Sequence, residues 1–328
     1  MSSDITSIRA LATRGLGTSG VSVPRVMLGL APIGGLYAPL TDEDARAALE
    51  AAWDLGIRAF DTAPHYGAGL AELRLGSFIS AHPRSEMIVS SKVGRLLVPE
   101  GSDVETDQEG AHFFYGAPQL ARVRDFSGAG VKRSVAESCA RLGVDRLDIA
   151  LVHDPDEHFA EAIGQSLPAL ADLRDEGVVG AIGVAMNQAG MLARFVREAD
   201  IDCVMVAGRW SLLDRSAGEE LLPLCLEREV GVLVGGVFNS GILAMPGPGA
   251  TFDYVPAPPE LLARARRMQD ACAAHGVPLR SAALQFPLRH PAVSAVVFGA
   301  RSAAEVIDDV ADLDRELTAE LWDELDAQ

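Results

Sequence analysis

The chain has 328 residues, 48% of them apolar, with 28 Lys and Arg set against 46 Asp and Glu. That length suits one large α/β unit, while the net charge of −18 repels nucleic acid and anionic membrane surfaces and does nothing to attract a phosphorylated substrate. There is no apolar run of spanning length, no cationic-then-apolar start in MSSDITSIRA, and no Cys-x-x-Cys among the four cysteines, so a membrane span, a secretion signal and a zinc or redox motif are not expected. These features describe a cytoplasmic protein with free, mostly buried thiols.

The first motif is GLGTSG, residues 15–20, whose glycine spacing imitates a dinucleotide-binding turn. Such a turn must follow a strand and open a helix. Here a poor strand precedes it, and the β-branched VSVPRVMLGL follows. A hairpin turn is the better reading. Beyond it, short apolar runs alternate with longer amphipathic ones. RVMLGL reads as a strand, and TDEDARAALEAAWDLG as a helix with Thr41 at its N-cap and Asp44 three residues on. Then come strand IRAFDT, helix AELRLGSFIS and strand EMIVSSK. Residues 94–126 carry few periodic cues and read as a long irregular loop.

After that loop the alternation resumes. Helix GVKRSVAESCARLG leads to strand DRLDIALVHD, helix AEAIGQSLPALADLRDEG to strand VVGAIGVA, and helix QAGMLARFVREA to strand DCVMVAG. Helix GEELLPLCLEREV leads to GVLVGGVF, helix PELLARARRMQDACAAHG to AVSAVVFG, and AAEVIDDVADL closes the series. Eight near-continuous apolar strands, each followed by a helix, describe a closed (β/α)8 barrel of the TIM-barrel class. No Pro, Gly and Ser-rich linker divides the chain, so one domain over residues 1–328 is expected. A doubly wound sheet is the alternative, and it lacks a glycine fingerprint after any strand.

A barrel places its chemistry where strands end. Three strands end in polar residues: Asp61, Lys92 and His153, with Tyr66 five positions past Asp61 on the same mouth. Tyrosine has a pKa of about 10 in solution. A nearby Lys92 ammonium would lower it, Asp61 would hold Lys92, and His153 would hydrogen-bond a substrate oxygen. A proton-exchanging tyrosine beside a carbonyl or alcohol suits hydride transfer. Each residue also has a plainer reading: a helix-capping or ion-paired Asp, or a satisfied core His. A metal-dependent hydrolase would need more His and carboxylate ligands than His153 and Asp61 supply, and Lys92 would oppose a cation, so no metal is expected.

FDTAPHYGAGLAELRLG, SSKVG, SVAESCARLGVDRLDIALVHD and FGARSAAEV together resemble the aldo-keto reductase family over nearly the whole chain. The resemblance implies a catalytic tetrad at Asp61, Tyr66, Lys92 and His153. It also implies a nicotinamide cofactor stretched across the barrel mouth, and an N-terminal hairpin that closes the barrel bottom. It assigns cofactor contacts to Asn187, for the carboxamide, and to Phe238, Ser240, Gly241, Leu243, Gly299, Arg301, Ser302, Glu305 and Asp309. Ala207 stands where the family often has Gln, and Gly235 and Gly236 where an aromatic often stacks on the nicotinamide, leaving Phe238 or Trp210 to stack instead. Glu305 replaces a common cation, and a carboxylate there repels a 2′-phosphate but accepts a ribose hydroxyl, which favours NAD, with NADP as the alternative.

The 94–126 stretch is expected to be a substrate lid. With HFFYG at its centre, the substrate residues expected are His112 and Phe114, together with His65 beside Tyr66 and Trp210. The long loop, AGRWSLLD and VGGVFNSGIL resemble the branch of sugar 1-dehydrogenases and pyridoxal 4-dehydrogenase. The expected reaction is therefore oxidation of an aldose to its lactone. Pyridoxal oxidation, another carbonyl reduction, and a non-catalytic cofactor-binding regulatory subunit are the alternatives. The expected partner is a small-molecule substrate, with no nucleic acid or membrane and self-association left open.

Overall fold

A computed structural model describes residues 13–102 and 111–328. The expectations for residues 1–12 and for positions 103–110 of the lid lie outside the described residues. Strands β1 (Thr13–Gly15) and β2 (Ser22–Pro24) pair antiparallel with Gly15 opposite Ser22, so GLGTSG is a hairpin turn. Strands β3 (Val26–Gly29), β4 (Ala59–Asp61) and β5 (Ile88–Val93) are followed by an antiparallel pair, β6 (Arg95–Pro99) and β7 (Leu120–Arg124). Next come β8 (Leu147–His153), β9 (Val179–Met186), β10 (Cys203–Ala207) and β11 (Gly231–Gly235), a short hairpin of β12 (Thr251–Phe252) and β13 (Val255–Pro256), and finally β14 (Val293–Gly299).

Eight of these strands, β3, β4, β5, β8, β9, β10, β11 and β14, close into a parallel barrel in chain order, with β14 returning to β3. Alternate side chains of each strand serve two cores. Met27, Ile149, Leu151, Cys203, Leu233 and Ala295 point inward and fill the barrel. Leu28, Phe60, Val89, Val152, Val204 and Phe298 point outward against the helices. Both faces are buried, which is why the strands read as continuous apolar runs.

The hairpin closes the lower end. Leu16 and Val23 are fully buried in the inner core. Gly17, at φ +53°, lies so close that a Cβ would stand 2.4 Å from the Asp202 carbonyl oxygen, at the foot of β10. Four of the described α-helices begin behind a side-chain N-cap. Thr41 accepts from the Asp44 N–H at 3.1 Å ahead of Asp42–Asp54, and Ser127 from the Gly130 N–H at 3.0 Å ahead of Gly128–Leu142. Two helices escape the sequence pattern: Leu279–Gln285, and the final Ala319–Asp326, capped by Thr318. Among the described residues no helix is long and apolar enough to cross a membrane.

One expectation needs correction. Residues 94–126 are not a plain irregular loop, because β6 and β7 stand above the barrel mouth. Their alternation is disguised by arginines. Arg95 and Arg122 are 3% and 5% exposed, so residues that look polar sit inside.

Candidate active site

The upper mouth gathers the polar strand ends. Asp61 ends β4, and its neighbour in register on β5 is Ser90. The Ser90 hydroxyl donates to Asp61 Oδ1 at 2.8 Å, and Lys92 Nζ donates to Asp61 Oδ2 at 2.7 Å and to the Thr62 carbonyl at 3.0 Å. Lys92 is 1% exposed and Asp61 2%. Lys92 faces in because its neighbour Ser91 faces out, where it donates to the fully buried Glu72 at 2.7 Å, itself paired with Arg141. One outer carboxylate therefore fixes the strand that carries the inner lysine.

Tyr66 stands on the loop after β4. Gly67, at φ +62°, packs against Gly34 so tightly that a Cβ would come within 2.3 Å of the Gly34 carbonyl oxygen. That contact holds the Tyr66 backbone against the β3 loop. Lys92 Nζ lies 4.7 Å from the centre of the Tyr66 ring and hydrogen-bonds to its side chain. His153, at the end of β8, meets the Tyr66 ring edge-on at 6.0 Å, and His65 meets His153 at 5.9 Å.

The electrostatics partly reverse the sequence expectation. Burial pushes the Tyr66 phenol above its ordinary value, and although Lys92 pulls it down, Asp61 and Asp154 push up again. The phenol is thus raised, not lowered, because burial outweighs the ammonium beside it, which Asp61 already pairs. Burial pulls the Lys92 ammonium down, yet Asp61 and Tyr66 outweigh it and hold Lys92 above its usual value. Burial, then the cations Arg95 and Lys92, keep His153 well below its ordinary value. The site therefore holds an ammonium, a neutral imidazole and a protonated phenol. A phenol and an imidazole can hydrogen-bond the oxygen of a carbonyl or alcohol, and the ammonium can steady the phenol when it gives up its proton.

Two connected hollows open from this floor. The first, of about 630 Å³, is lined by Tyr66, Lys92, His153, His65, His112, Phe114 and Asn187. Phe114 lies nearly parallel to Tyr66 at 6.1 Å and edge-on to His65 at 5.3 Å. The second is a groove of about 400 Å³ beside β3, β11 and β14, lined by Asn187, Phe238, Ser240, Gly241, Gly299, Arg301 and Glu305. Asn187 and Ala207 border both. Also lining the groove is Asn239, 2% exposed, whose Nδ2 donates to the Gly208 carbonyl at 3.0 Å while its buried Oδ1 has no partner. A groove that carries Asn187 beside the catalytic floor, the Glu305 carboxylate, and a buried Asn239 oxygen without a partner in its wall fits a dinucleotide carrying amide and hydroxyl donors.

A model of the aldo/keto reductase family matches residues 25–328. The chain belongs to that family. It is an oxidoreductase, and the family's cofactor is a nicotinamide dinucleotide. This reductase is 44% identical over 314 residues to D-threo-aldose 1-dehydrogenase of Pseudomonas sp, covering 94% of each chain. It is 40% identical over 334 residues to pyridoxal 4-dehydrogenase of Microbacterium luteolum, covering 96% of each. Among solved structures it superposes on the holo form of aldo-keto reductase AKR11C1 from Bacillus halodurans with a TM-score of 0.76 and 25% identity, over 97% of this chain and 96% of that one.

Four expected contacts of the reductase do not reach either hollow. Trp210 turns away from the mouth, donates to the Pro287 carbonyl at 3.4 Å and packs on Phe286 and His290. Leu243 is fully buried in a separate apolar core with Met268 and Phe286. Asp309, 2% exposed, is ion-paired to Arg280 at 2.5 Å. The Ser302 hydroxyl caps the helix Ala303–Asp314 by accepting from the Glu305 N–H at 3.2 Å. In each case a side chain near the groove in sequence is claimed by packing or capping.

Other lining residues escaped the sequence reading. Arg95, Asp154, Asp156 and Gln188 border the larger hollow, and Tyr37 and Tyr254 border the groove. Asp154 directly follows His153, Asp156 follows it by three positions, and Arg95 follows Lys92 by three. Proximity to a strand end was the available clue. Tyr254 offers none, since only the β12–β13 hairpin, tied through Asp253 to Arg209 at 2.9 and 2.8 Å, carries it over the mouth.

Proposed function

We propose that this reductase oxidises the anomeric hydroxyl of an aldose to the lactone, using NAD. The observation that carries the reading is the buried Asp61–Lys92 pair beneath the Tyr66 ring, with neutral His153 at the same floor. Once Tyr66 has given its own proton to solvent, its phenolate oxygen takes the proton of the anomeric hydroxyl, and Lys92 stabilises that phenolate. Asp61 holds the Lys92 ammonium in reach. His153 donates an N–H to the substrate oxygen and fixes its direction. When bound, the cofactor supplies the acceptor for the hydride that leaves C1. Asn187, between the two hollows, would hold the carboxamide, while Phe238, Ser240, Gly241 and Gly299 would line the path of the remainder. His65, His112 and Phe114 would contact the sugar.

The 44% identity to a D-threo-aldose 1-dehydrogenase supports the substrate class. The choice of NAD is supported by Glu305, which lines the groove and accepts from the Arg301 backbone N–H at 2.8 Å. The Arg301 guanidinium instead donates to the Ala38 carbonyl at 3.3 Å. A carboxylate at this place repels a 2′-phosphate and accepts from a ribose hydroxyl. Four free cysteines accord with a reducing, cytoplasmic compartment.

The test is NADH absorbance near pH 8 with NAD and then, in turn, L-fucose, L-galactose, D-arabinose and pyridoxal, each repeated with NADP. Reduction of NAD by one or more aldoses is expected. Turnover of pyridoxal alone would move the substrate to vitamin B6 chemistry, and faster reduction of NADP would overturn the cofactor choice. Glu305→Arg should raise the use of NADP relative to NAD.

A further inference from the structure

The larger hollow has two unlike walls. One is apolar, with Phe114 stacked over Tyr66. The other is ionic. Arg95, 3% exposed on β6, reaches Asp154 Oδ2 through Nη1 at 3.2 Å, and the same oxygen stands 3.4 Å from His153 Nε2. Asp156 completes this wall, and its Oδ1 is buried with no hydrogen-bond partner.

We propose that Asp154 and Asp156, held by Arg95, read the ring hydroxyls of a polyhydroxylated substrate whose C–H face lies on Phe114. Asp154 is already charge-matched by Arg95, so a further cation is not required to balance it. A carboxylate oxygen accepts from neutral donors such as hydroxyls, and Asp156, which lines the hollow, keeps a buried oxygen that no donor in the protein satisfies. A sugar presents donors along its edge and an apolar C–H face, matching the two walls. A flat heteroaromatic aldehyde presents fewer donors. Asp154 adjoins His153, so the hydroxyls read lie close to the carbon that reacts. The buried arginine on β6 ties that strand to the loop after β8 through Asp154. This role presumes the aldose reading above and adds to it which residues recognise the sugar.

The test is a cycle between substrate and protein. Wild type, Asp154→Ala and Asp156→Ala are each assayed with NAD and an accepted aldose, and with its 2-, 3- and 4-deoxy derivatives. In wild type, loss of a hydroxyl that is read should lower kcat/KM by about ten- to hundred-fold. In the matching variant the intact and deoxy sugars should converge to within about twofold, with most of the variant's loss in KM. Asp154→Asn, which keeps one carbonyl acceptor, should recover part of the penalty and stands in for an alanine variant that fails to fold. An equal deoxy penalty in wild type and variants would overturn the assignment and leave the aldose reading standing. Wild type that oxidises no aldose while reducing other carbonyls would overturn both.

Discussion

The two ends of the barrel use the same side chains for opposite purposes. At the lower end, Asp148 accepts from the Val89 N–H at 2.8 Å and from Arg84 at 2.7 Å. Asp202 accepts there from the Ile182 N–H and from Arg174, both at 2.8 Å. Each carboxylate bonds a backbone N–H of the adjoining strand together with an arginine, and the hairpin β1–β2 covers the end. At the upper end, Asp61, Lys92 and His153 are buried to a similar degree and Asp154 is partly exposed, yet they border the hollow and the groove. The lower carboxylates set strand register. The upper ones hold a lysine and a phenol at an opening, and Asp156 keeps an oxygen without a partner. Charge buried against backbone serves stability, and charge buried against space serves chemistry.

Substitutions at the two ends should separate these purposes. The largest loss of activity is expected from Tyr66→Phe, roughly 10²–10⁴-fold in turnover, with cofactor binding retained by fluorescence titration. Near-normal turnover would remove Tyr66 from its role. Lys92→Met should abolish activity as well and, by leaving Asp61 buried without its cation, cost about 3–5 kcal/mol in denaturant unfolding. Asp148→Ala, at the lower end, should cost about 1–3 kcal/mol while leaving kcat/KM unchanged, and any large change in kcat/KM would break the contrast between the ends.

Acid should weaken the upper end in particular. His153 is neutral in the folded chain because its pKa lies well below the ordinary value. Below about pH 6.5 the unfolded chain binds a proton that the folded one does not, so stability falls as pH falls, by up to about 1.4 kcal/mol per pH unit from this residue. His153→Asn should flatten the slope between about pH 5.5 and 6.5, and an unchanged slope would count against a neutral His153. The smallest effect belongs to the surface. Arg194→Ala, which breaks the exposed pair with Glu198, should change stability by about 0.5 kcal/mol or less.

Much of this was legible in order of sequence. The eight apolar runs, the cap at Thr41, and the polar strand ends at Asp61, Lys92 and His153 follow from local pattern, because strand period, capping and the barrel rule act within a few residues. What stayed hidden depends on residues far apart. The pair β6–β7 was masked by Arg95 and Arg122, which are buried where Asp154 and the His65 carbonyl lie across the mouth to receive them. Trp210 and Asp309 looked available from sequence until Pro287 and Arg280 claimed them. The raised Tyr66 phenol is of the same kind: sequence supplies the ammonium that lowers it, and only the packed mouth supplies the burial that wins. By itself the sequence determined the barrel, the N-terminal hairpin turn and the four polar positions at the barrel mouth, since these rest on short-range pattern. The tertiary structure decided which of the neighbouring side chains face the hollow and how their protons are held, since burial and countercharge are set by contacts between segments that local pattern cannot see.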